Sequence, residues 1–539
     1  MNWLLVSCAV LGLATAGESG AAQAIPSLAE LEAAGATIGE IRVDTRNIFD
    51  LDDPKENKAL FRLANRLHIG TDPSVIRRAL PFKSGERLSV RVLEEAERLL
   101  RANRYLYEVD IRPIALHDGI VDLEVATRDT WTLNPNVNFS RSGGANKSSV
   151  SLTEYNLLGR GLAMGFSHST DVDRTSTEFT ISQDHAWDGA TSISYALANL
   201  SDGKRQTFSL ARPFYTLDTR RAVGVSAAQN DRIDSVYADG SAVARFRHDQ
   251  DNAEVFAGWS DGNIAGFTHR YSFGMTWQSD AYGLDPGSAA PAQLPAGQKL
   301  SAPFVRYEVI EDKYRKVKNR DLIERPEYFA MGFHLNAQVG RAMSELGGNR
   351  NAWLYAADAS DGFTFLSGHQ LLASASLKGQ YGSVGIERHL LSASARYYVP
   401  QTSRATFFAS ASGDAARRPD LGDQLMLGGD NGLRGYPLRY QSGERRALLT
   451  LEQRVYGDWY PFRLFRVGGA VFYDIGRAWG GPYANTENTG WLGDFGFGLR
   501  ALSARSAFNN VLHADIAFPT HRDPDIKSVQ FLVKISSTF

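Results

Sequence analysis

Cysteine is almost missing: Cys8 is the only one in 539 residues. That excludes a disulfide framework and any cluster held by several thiolates. Net charge is nearly missing too, with 58 Lys and Arg against 60 Asp and Glu. No overall field therefore argues for nucleic acid or for an acidic substrate. Long hydrophobic runs are scarce. Beyond the N-terminus nothing approaches a spanning length of about 18 apolar residues, so no second hydrophobic helix is expected. A mean hydropathy of -0.28, read alone, describes a soluble chain. What is plentiful is glycine, 50 residues, together with 28 Phe, 21 Tyr and 9 Trp. A soluble reading leaves that pairing unexplained.

The one apolar run lies at the start, Trp3–Ala16 (WLLVSCAVLGLATA). It has the length of a signal-peptide core and falls short of the roughly 20 residues a spanning helix needs. Small-x-small cleavage sites follow at Ala14-Thr15-Ala16 and Ala22-Gln23-Ala24. The second predicts a signal peptide over residues 1–24 and an N-terminal segment over 25–37. No positive charge precedes the run, and a buried N-terminal helix is the alternative. Too few apolar residues precede Cys8 for a lipoprotein anchor. With Cys8 in the leader the exported chain carries no thiol, as suits an oxidising compartment.

Residues 38–129 read as a small α+β domain. Glu56–His68 places Leu60, Leu63, Ala64 and Leu67 on one helix face. Thr71-Asp72-Pro73 supplies an N-cap and first-turn proline for a short helix that stops before Pro81. Ser89 opens a third helix with Val92, Leu93, Ala96, Leu99 and Leu100 inward. Strand-like runs flank these at Ile38–Val43, Tyr107–Ile114 and Ile120–Ala126, the last two joined by a turn at His117-Asp118-Gly119.

After Thr130 the helical period vanishes. Leu133, Pro135, Val137 and Phe139 alternate with Thr132, Asn134, Asn136 and Asn138. The same alternation runs through Thr207–Pro213, Leu371–Leu377, His389–Pro400, Phe407–Gly413 and Phe531–Phe539. A soluble sandwich also alternates, but one this long needs several domains and linkers, and no Pro/Ser-rich linker is present. A closed barrel satisfies every backbone group in lipid, and a polar lumen face lowers the mean hydropathy. The fold class expected is therefore mainly β, a transmembrane antiparallel β-barrel over residues 130–539 behind the α+β domain. Roughly 25 residues per strand and loop gives about 16 strands; a walk through the segments finds up to about 20. Ser241–Ser260 reads as one tall strand or as a hairpin.

Three stretches carry a resemblance. Gly428–Tyr440 (GGDNGLRGYPLRY) resembles the lumen-loop signature of the bacterial outer-membrane assembly and secretion barrels, the superfamily of BamA, TamA and the two-partner-secretion transporters. Its core here is Leu433-Arg434-Gly435-Tyr436, inside a loop expected around 414–446. Phe472-Tyr473-Asp474-Ile475-Gly476 is similar to the family's F-x-D-x-G strand, with Phe472, Asp474 and Gly476 the matching positions. Glu154–Gly161 (EYNLLGRG) looks like its E-x-N-L-L-G-x-G hairpin, and the α+β domain is similar to a POTRA domain with an extra helix at Glu56–His68. The resemblance implies that Arg434 folds back inside the barrel onto Asp474 and Glu452. A buried arginine needs such partners in any case. Phe539 fits the C-terminal signal by which such barrels are recognised. The last strand lacks the family's usual glycine (VKISSTF), which favours firmer pairing of that strand.

Enzyme motifs fare poorly. Gly258-Trp259-Ser260-Asp261-Gly262 matches G-x-S-x-G, and Asp188-Gly189-Ala190 resembles the aspartate element of a patatin lipase. A nucleophile elbow needs a helix after the serine, whereas Ser260 runs into a polar turn. Gly493–Gly498 (GDFGFG) reads as strand, and the 11 His show no metal-ligand spacing. The expectation is no enzyme, no cofactor and no metal. The function expected is insertion or translocation of client polypeptides, captured by β-augmentation on the POTRA-like domain. A passive pore or structural barrel is the alternative, and an outer-membrane lipase the weaker one. Expected partners are outer-membrane lipids and periplasmic clients or accessory proteins, with no nucleic acid. The barrel is expected to be monomeric, with its α+β domain in the periplasm.

Overall fold

The computed structural model describes residues 25–365, 368–487, 489–504, 511–521, 523–524 and 526–536. The expected signal peptide and Phe539 lie outside the described residues.

The chain starts as an α+β unit: α1 (Leu28–Ala33), β1 (Thr37–Arg46), α2 (Ala59–Leu67), α3 (Pro73–Ala79), α4 (Val90–Ala102), β2 (Leu106–His117) and β3 (Ile120–Asp129). Its sheet has the order β1-β3-β2, parallel between β1 and β3 and antiparallel between β3 and β2. Asp118 and Gly119, both at positive φ, make the tight turn between β2 and β3. Asp72 accepts the Ser74 N–H at the start of α3, just ahead of Pro73. Ile38, Ile76, Leu93, Leu100, Val109 and Leu123 form the core. α2 departs from expectation. Its leucine stripe faces away from this core, and the helix buries Phe61 instead, stacked on Phe49.

The barrel opens with β4 (Leu133–Ser142), β5 (Ala145–Leu157), β6 (Leu162–Thr170), β7 (Thr175–Ala186), β8 (Thr191–Leu200) and β9 (Gly203–Arg212). A tall wall follows: β10 (Arg221–Ala238), β11 (Ser241–Ile264), β12 (Phe267–Leu284) and β13 (Gln298–Glu311). Next come an inserted pair, β14 (Tyr314–Val317) and β15 (Glu327–Ala330), then β16 (His334–Ala342), β17 (Ala352–Thr364), β18 (Gln370–Gly382), β19 (Gly385–Thr402) and β20 (Ala405–Arg417). A second inserted pair, β21 (Leu425–Leu427) and β22 (Gln441–Gly443), precedes β23 (Arg445–Tyr456), β24 (Phe465–Trp479), β25 (Leu492–Ser503), β26 (Val511–Pro519) and β27 (Gln530–Ser536). Leaving out the two inserted pairs, the strands close into one barrel of 20.

The expectation of about 16 strands is therefore corrected to 20. It assumed roughly 25 residues per strand and connection. Several connections are two-residue turns instead, such as Asp239-Gly240 and Ala265-Gly266, where positive φ matches the twist of the flanking strands. Ser241–Ser260 falls within the single strand β11.

β4 leaves the α+β unit, so odd and even connections alternate between a near end, beside that unit, and a far end. Many large apolar side chains of the strands point outward. On β25 Phe495, Phe497 and Leu499 are exposed, while Asp494 before them and Arg500 after them are buried. The described tryptophans sit toward the two rims, Trp131, Trp187, Trp259 and Trp459 near, and Trp277, Trp353, Trp479 and Trp491 far. That is the placement of interfacial aromatic belts. No described helix is long and apolar enough to cross a membrane.

Closure is uneven. β26 and β27 share seven registered pairs, from Val511↔Ser536 to Ala517↔Gln530. β27 and β4 share one among the described residues, Val533↔Arg141. The firmer pairing expected from VKISSTF falls partly on residues 537–539, outside the described residues.

Candidate functional site: the lumen and the seam

Two segments fill the lumen, one from each end. From the far end, residues 418–444 fold inward between β20 and β23. At their tip Leu433, Arg434 and Tyr436 are buried. Arg434 grips Asp474 of β24 with both arms of its fork, Nε to Oδ2 at 2.6 Å and Nη2 to Oδ1 at 2.9 Å. Its third contact is Nη1 to Glu452 Oε1 of β23 at 3.0 Å. The guanidinium lies over the Phe472 ring, 3.4 Å from its centroid. Bidentate geometry and ring stacking both need arginine, and lysine supplies neither. Gly435 touches the wall so closely that an added Cβ would stand 2.6 Å from Asp494 Cβ. Only glycine fits there. The Tyr436 hydroxyl donates to the Gly493 carbonyl at 2.9 Å.

The structure thus brings together Arg434, Asp474, Glu452 and Phe472. Gly476 lies on the same strand, where an added Cβ would meet Leu427 of the loop at 2.9 Å. Sequence reasoning missed the rest of the cluster. Asp515 of β26 stands 3.6 Å from Arg434 and pairs with the fully buried Arg500. Asp494 of β25 lies directly opposite Asp474 in the ladder. Strand alternation alone marks these residues as inward-facing; nothing local says which ones meet across the lumen.

From the near end, residues 312–333 turn up between β13 and β16. Leu322 and Ile323 pack on Tyr456, Ala470, Leu502 and Val511, and Phe329 and Met331 on Tyr398 and Phe408. Asp321 accepts from Tyr398 Oη at 2.9 Å and lies 3.6 Å from Arg454 Nη1. Arg454 also donates to the Arg320 carbonyl at 2.8 Å and to Glu452 Oε2 at 2.9 Å. Glu452 therefore joins the two plugs, one oxygen on Arg434 and the other on Arg454. Charges this buried are tolerated only when paired and hydrogen-bonded.

The far-end loop also reaches across the seam. Its tip holds β24 and β25, while Leu438 N–H donates to the Gly143 carbonyl at the β4–β5 turn at 3.0 Å. An added Cβ on Gly143 would stand 2.2 Å from Leu438 N. At the near end the α+β unit is docked on the barrel rim. Leu217 N–H donates to Glu95 Oε1 at 2.7 Å, Arg98 pairs with Asp312 at 3.2 Å, and Tyr328 Oη donates to Glu97 Oε1 at 3.1 Å. Burial raises the Glu95 carboxyl above its ordinary value, against the pull of that N–H and of Arg91. Asn156, from the Glu154–Gly161 stretch, donates to Thr71 Oγ1 at 2.8 Å and accepts from Gly161 N–H at 2.6 Å. Ser260 stands near the end of β11, where its hydroxyl accepts from Gly262 N–H at 3.0 Å, and Asp188 lies in the separate β7–β8 turn.

Fold and site together define a plugged, capped, closed β-barrel whose β27–β4 seam is thinly paired among the described residues. No family model and no curated protein matches the chain. Among solved structures it is similar to BamA from Haemophilus ducreyi lacking POTRA domains 1–3, at 13% identity and TM-score 0.39, covering 92% of this chain and 84% of that one. It is similar to CdiB from Acinetobacter baumannii (14%, TM-score 0.42, 93% and 73% covered) and to CdiB from Escherichia coli (15%, TM-score 0.48, 92% and 76% covered).

Proposed function

We propose that the protein is an outer-membrane barrel that assists the insertion or translocation of client polypeptides, with its α+β unit in the periplasm as a POTRA-like receptor. The observation that carries this reading is the Arg434 loop, held inside the barrel by Asp474 and Glu452 and tied to the β4–β5 turn beside a seam that shows one registered pair among the described residues. A thin seam braced from inside is an outlet that opens by releasing the brace. The outward apolar strands and rim tryptophans support residence in a bilayer. Client capture is assigned to the β2 edge of the small sheet, where Glu108, Asp110, Arg112 and Ile114 alternate outward. An extended client adds there as a further strand. The filled lumen weighs against a freely open pore.

Photocrosslinking from Asp110 and Ile114 in living cells tests the reading. The expected result is adducts with periplasmic polypeptides and loss of outer-membrane or secreted proteins on depletion. No adducts, with an unchanged outer-membrane proteome after depletion, would leave only the passive barrel.

A further inference from the structure

We infer that α2 is a lipid-contacting interfacial helix that runs beneath the seam in the near leaflet of the membrane, an inference that rests on the outer-membrane reading above. The helix has three faces. Phe61, Ala64, Asn65 and His68 turn toward the protein, where Asn65 Nδ2 donates to the Phe49 carbonyl at 2.8 Å and His68 Nε2 meets Asp129 at 2.9 Å. Leu60, Leu63 and Leu67 form a second face, 63%, 50% and 64% exposed, continued by Ile69 at 56%. Lys58, Arg62 and Arg66 form the third, also exposed. Four large aliphatic side chains in one stripe are too many to leave in water without an occupant.

Position identifies the occupant. Before α2, Asp53 lies 4.0 Å from Arg463 at the β23–β24 connection, and Phe61 clusters with Leu464 and Trp131. After α2, Asp72 N–H donates to the Gly159 carbonyl at the β5–β6 turn at 3.0 Å, and Thr71 meets Asn156. In ladder order these anchors flank β25, β26, β27 and β4, so the segment passes under the seam. Trp459 and Phe462, 68% and 80% exposed, add apolar surface to the barrel rim at the connection that carries one anchor. An exposed apolar stripe anchored at the barrel rim and flanked by three basic residues fits acyl chains on one side and anionic headgroups on the other.

Single-cysteine variants of the full chain, in a Cys8→Ser background, test this: Leu60→Cys, Leu63→Cys, Leu67→Cys, Arg62→Cys and Arg66→Cys, with Val137→Cys on β4 as barrel control. Each is labelled with bimane in phosphatidylethanolamine–phosphatidylglycerol vesicles and quenched by acyl-chain nitroxide lipid or by aqueous iodide. Labels at 60, 63, 67 and 137 are expected to be quenched by the lipid at least about twofold more than labels at 62 and 66, which iodide reaches. Iodide quenching at 63 and 67 with lipid quenching kept at 137 overturns the helix proposal alone. Shielding from both quenchers overturns it too, in favour of a second copy or another segment of this chain. Absence of lipid quenching at 137 overturns it together with the outer-membrane reading.

Discussion

Two segments cross the same seam, and they are made of opposite materials. The far-end loop braces it with buried charge, Arg434 on Asp474 and Glu452 inside the lumen. The near-end strap, residues 47–72, underlies it with exposed leucines. A buried ion pair is directional and costly to leave half-made, so it holds one geometry or releases altogether. An apolar stripe on a surface has no preferred partner atom and tolerates sliding. The brace is therefore suited to a two-state latch, and the strap to a support that stays engaged while strands move above it.

The comparison breaks most sharply at Arg434. Arg434→Glu sets a carboxylate against Asp474 and Glu452, and losing one partner of a buried pair already costs about 3–5 kcal/mol. The expected outcome is loss of the heat-modifiable folded band and of protease-resistant barrel. Unchanged assembly would remove the latch. Replacing residues 313–332 by a short Gly/Ser linker comes next. It leaves the brace but empties the near half of the lumen, so folded barrel should persist while single-channel conductance rises from near zero to a steady open level. A conducting native protein would show that the two plugs do not close the lumen.

Glu452→Gln is milder. The amide keeps its volume and one acceptor, yet it weakens both the Arg434 and Arg454 contacts. A cost of about 1–3 kcal/mol is expected, read as a lower unfolding temperature with the folded band retained. If the two plugs are coupled through this residue, combining it with Arg434→Lys should cost less than the sum of the single changes. On the other side of the comparison, the triple change Leu60→Ser, Leu63→Ser, Leu67→Ser should barely alter stability in detergent, about 0.5 kcal/mol or less per site, because these side chains are half or more exposed. A large loss would mean the stripe is covered by protein.

The two regions also differ in how far they can be read from sequence. Arg434, Asp474 and Glu452 are legible because a lumen loop and the strands that follow it carry their own motifs. Asp515, Asp494 and Arg500 are not, since alternation points them inward but the barrel's circumference decides what they meet. Periodicity correctly finds the stripe Leu60, Leu63 and Leu67, yet a stripe says only that one face is apolar. Whether core or bilayer covers it depends on Phe61, which lies off the stripe and takes the inward position. The near-end plug is silent for a different reason. Residues 312–333 have no repeat and no motif, and Asp321 gains meaning only beside Arg454 and Tyr398, some 75 to 135 residues later in the chain. Strand number is not legible because alternation marks the strands but not the length of the turns between them, and many here are two residues long.

The smallest expected effect concerns how the α+β unit sits on the rim that both segments share. Glu95 of α4 is held above its ordinary value of 4.5 by burial, opposed by the Leu217 N–H and Arg91 and reinforced by Asp218 and Asp312. A raised value means that the docked state holds the proton more tightly than the free carboxyl does. That contribution is fully present below about 4.5 and is lost as pH rises through the raised value. Docking should therefore strengthen modestly as pH falls from 8 toward 5. Spin labels on Glu94→Cys and Arg220→Cys, in the Cys8→Ser background, report the docked fraction as a population at the short distance. Glu95→Gln keeps an acceptor for Leu217 N–H but cannot titrate, so the pH dependence should flatten in that variant. A dependence that survives Glu95→Gln would assign the effect to another group on the rim, and the seam's near-end support would then be insensitive to this carboxyl.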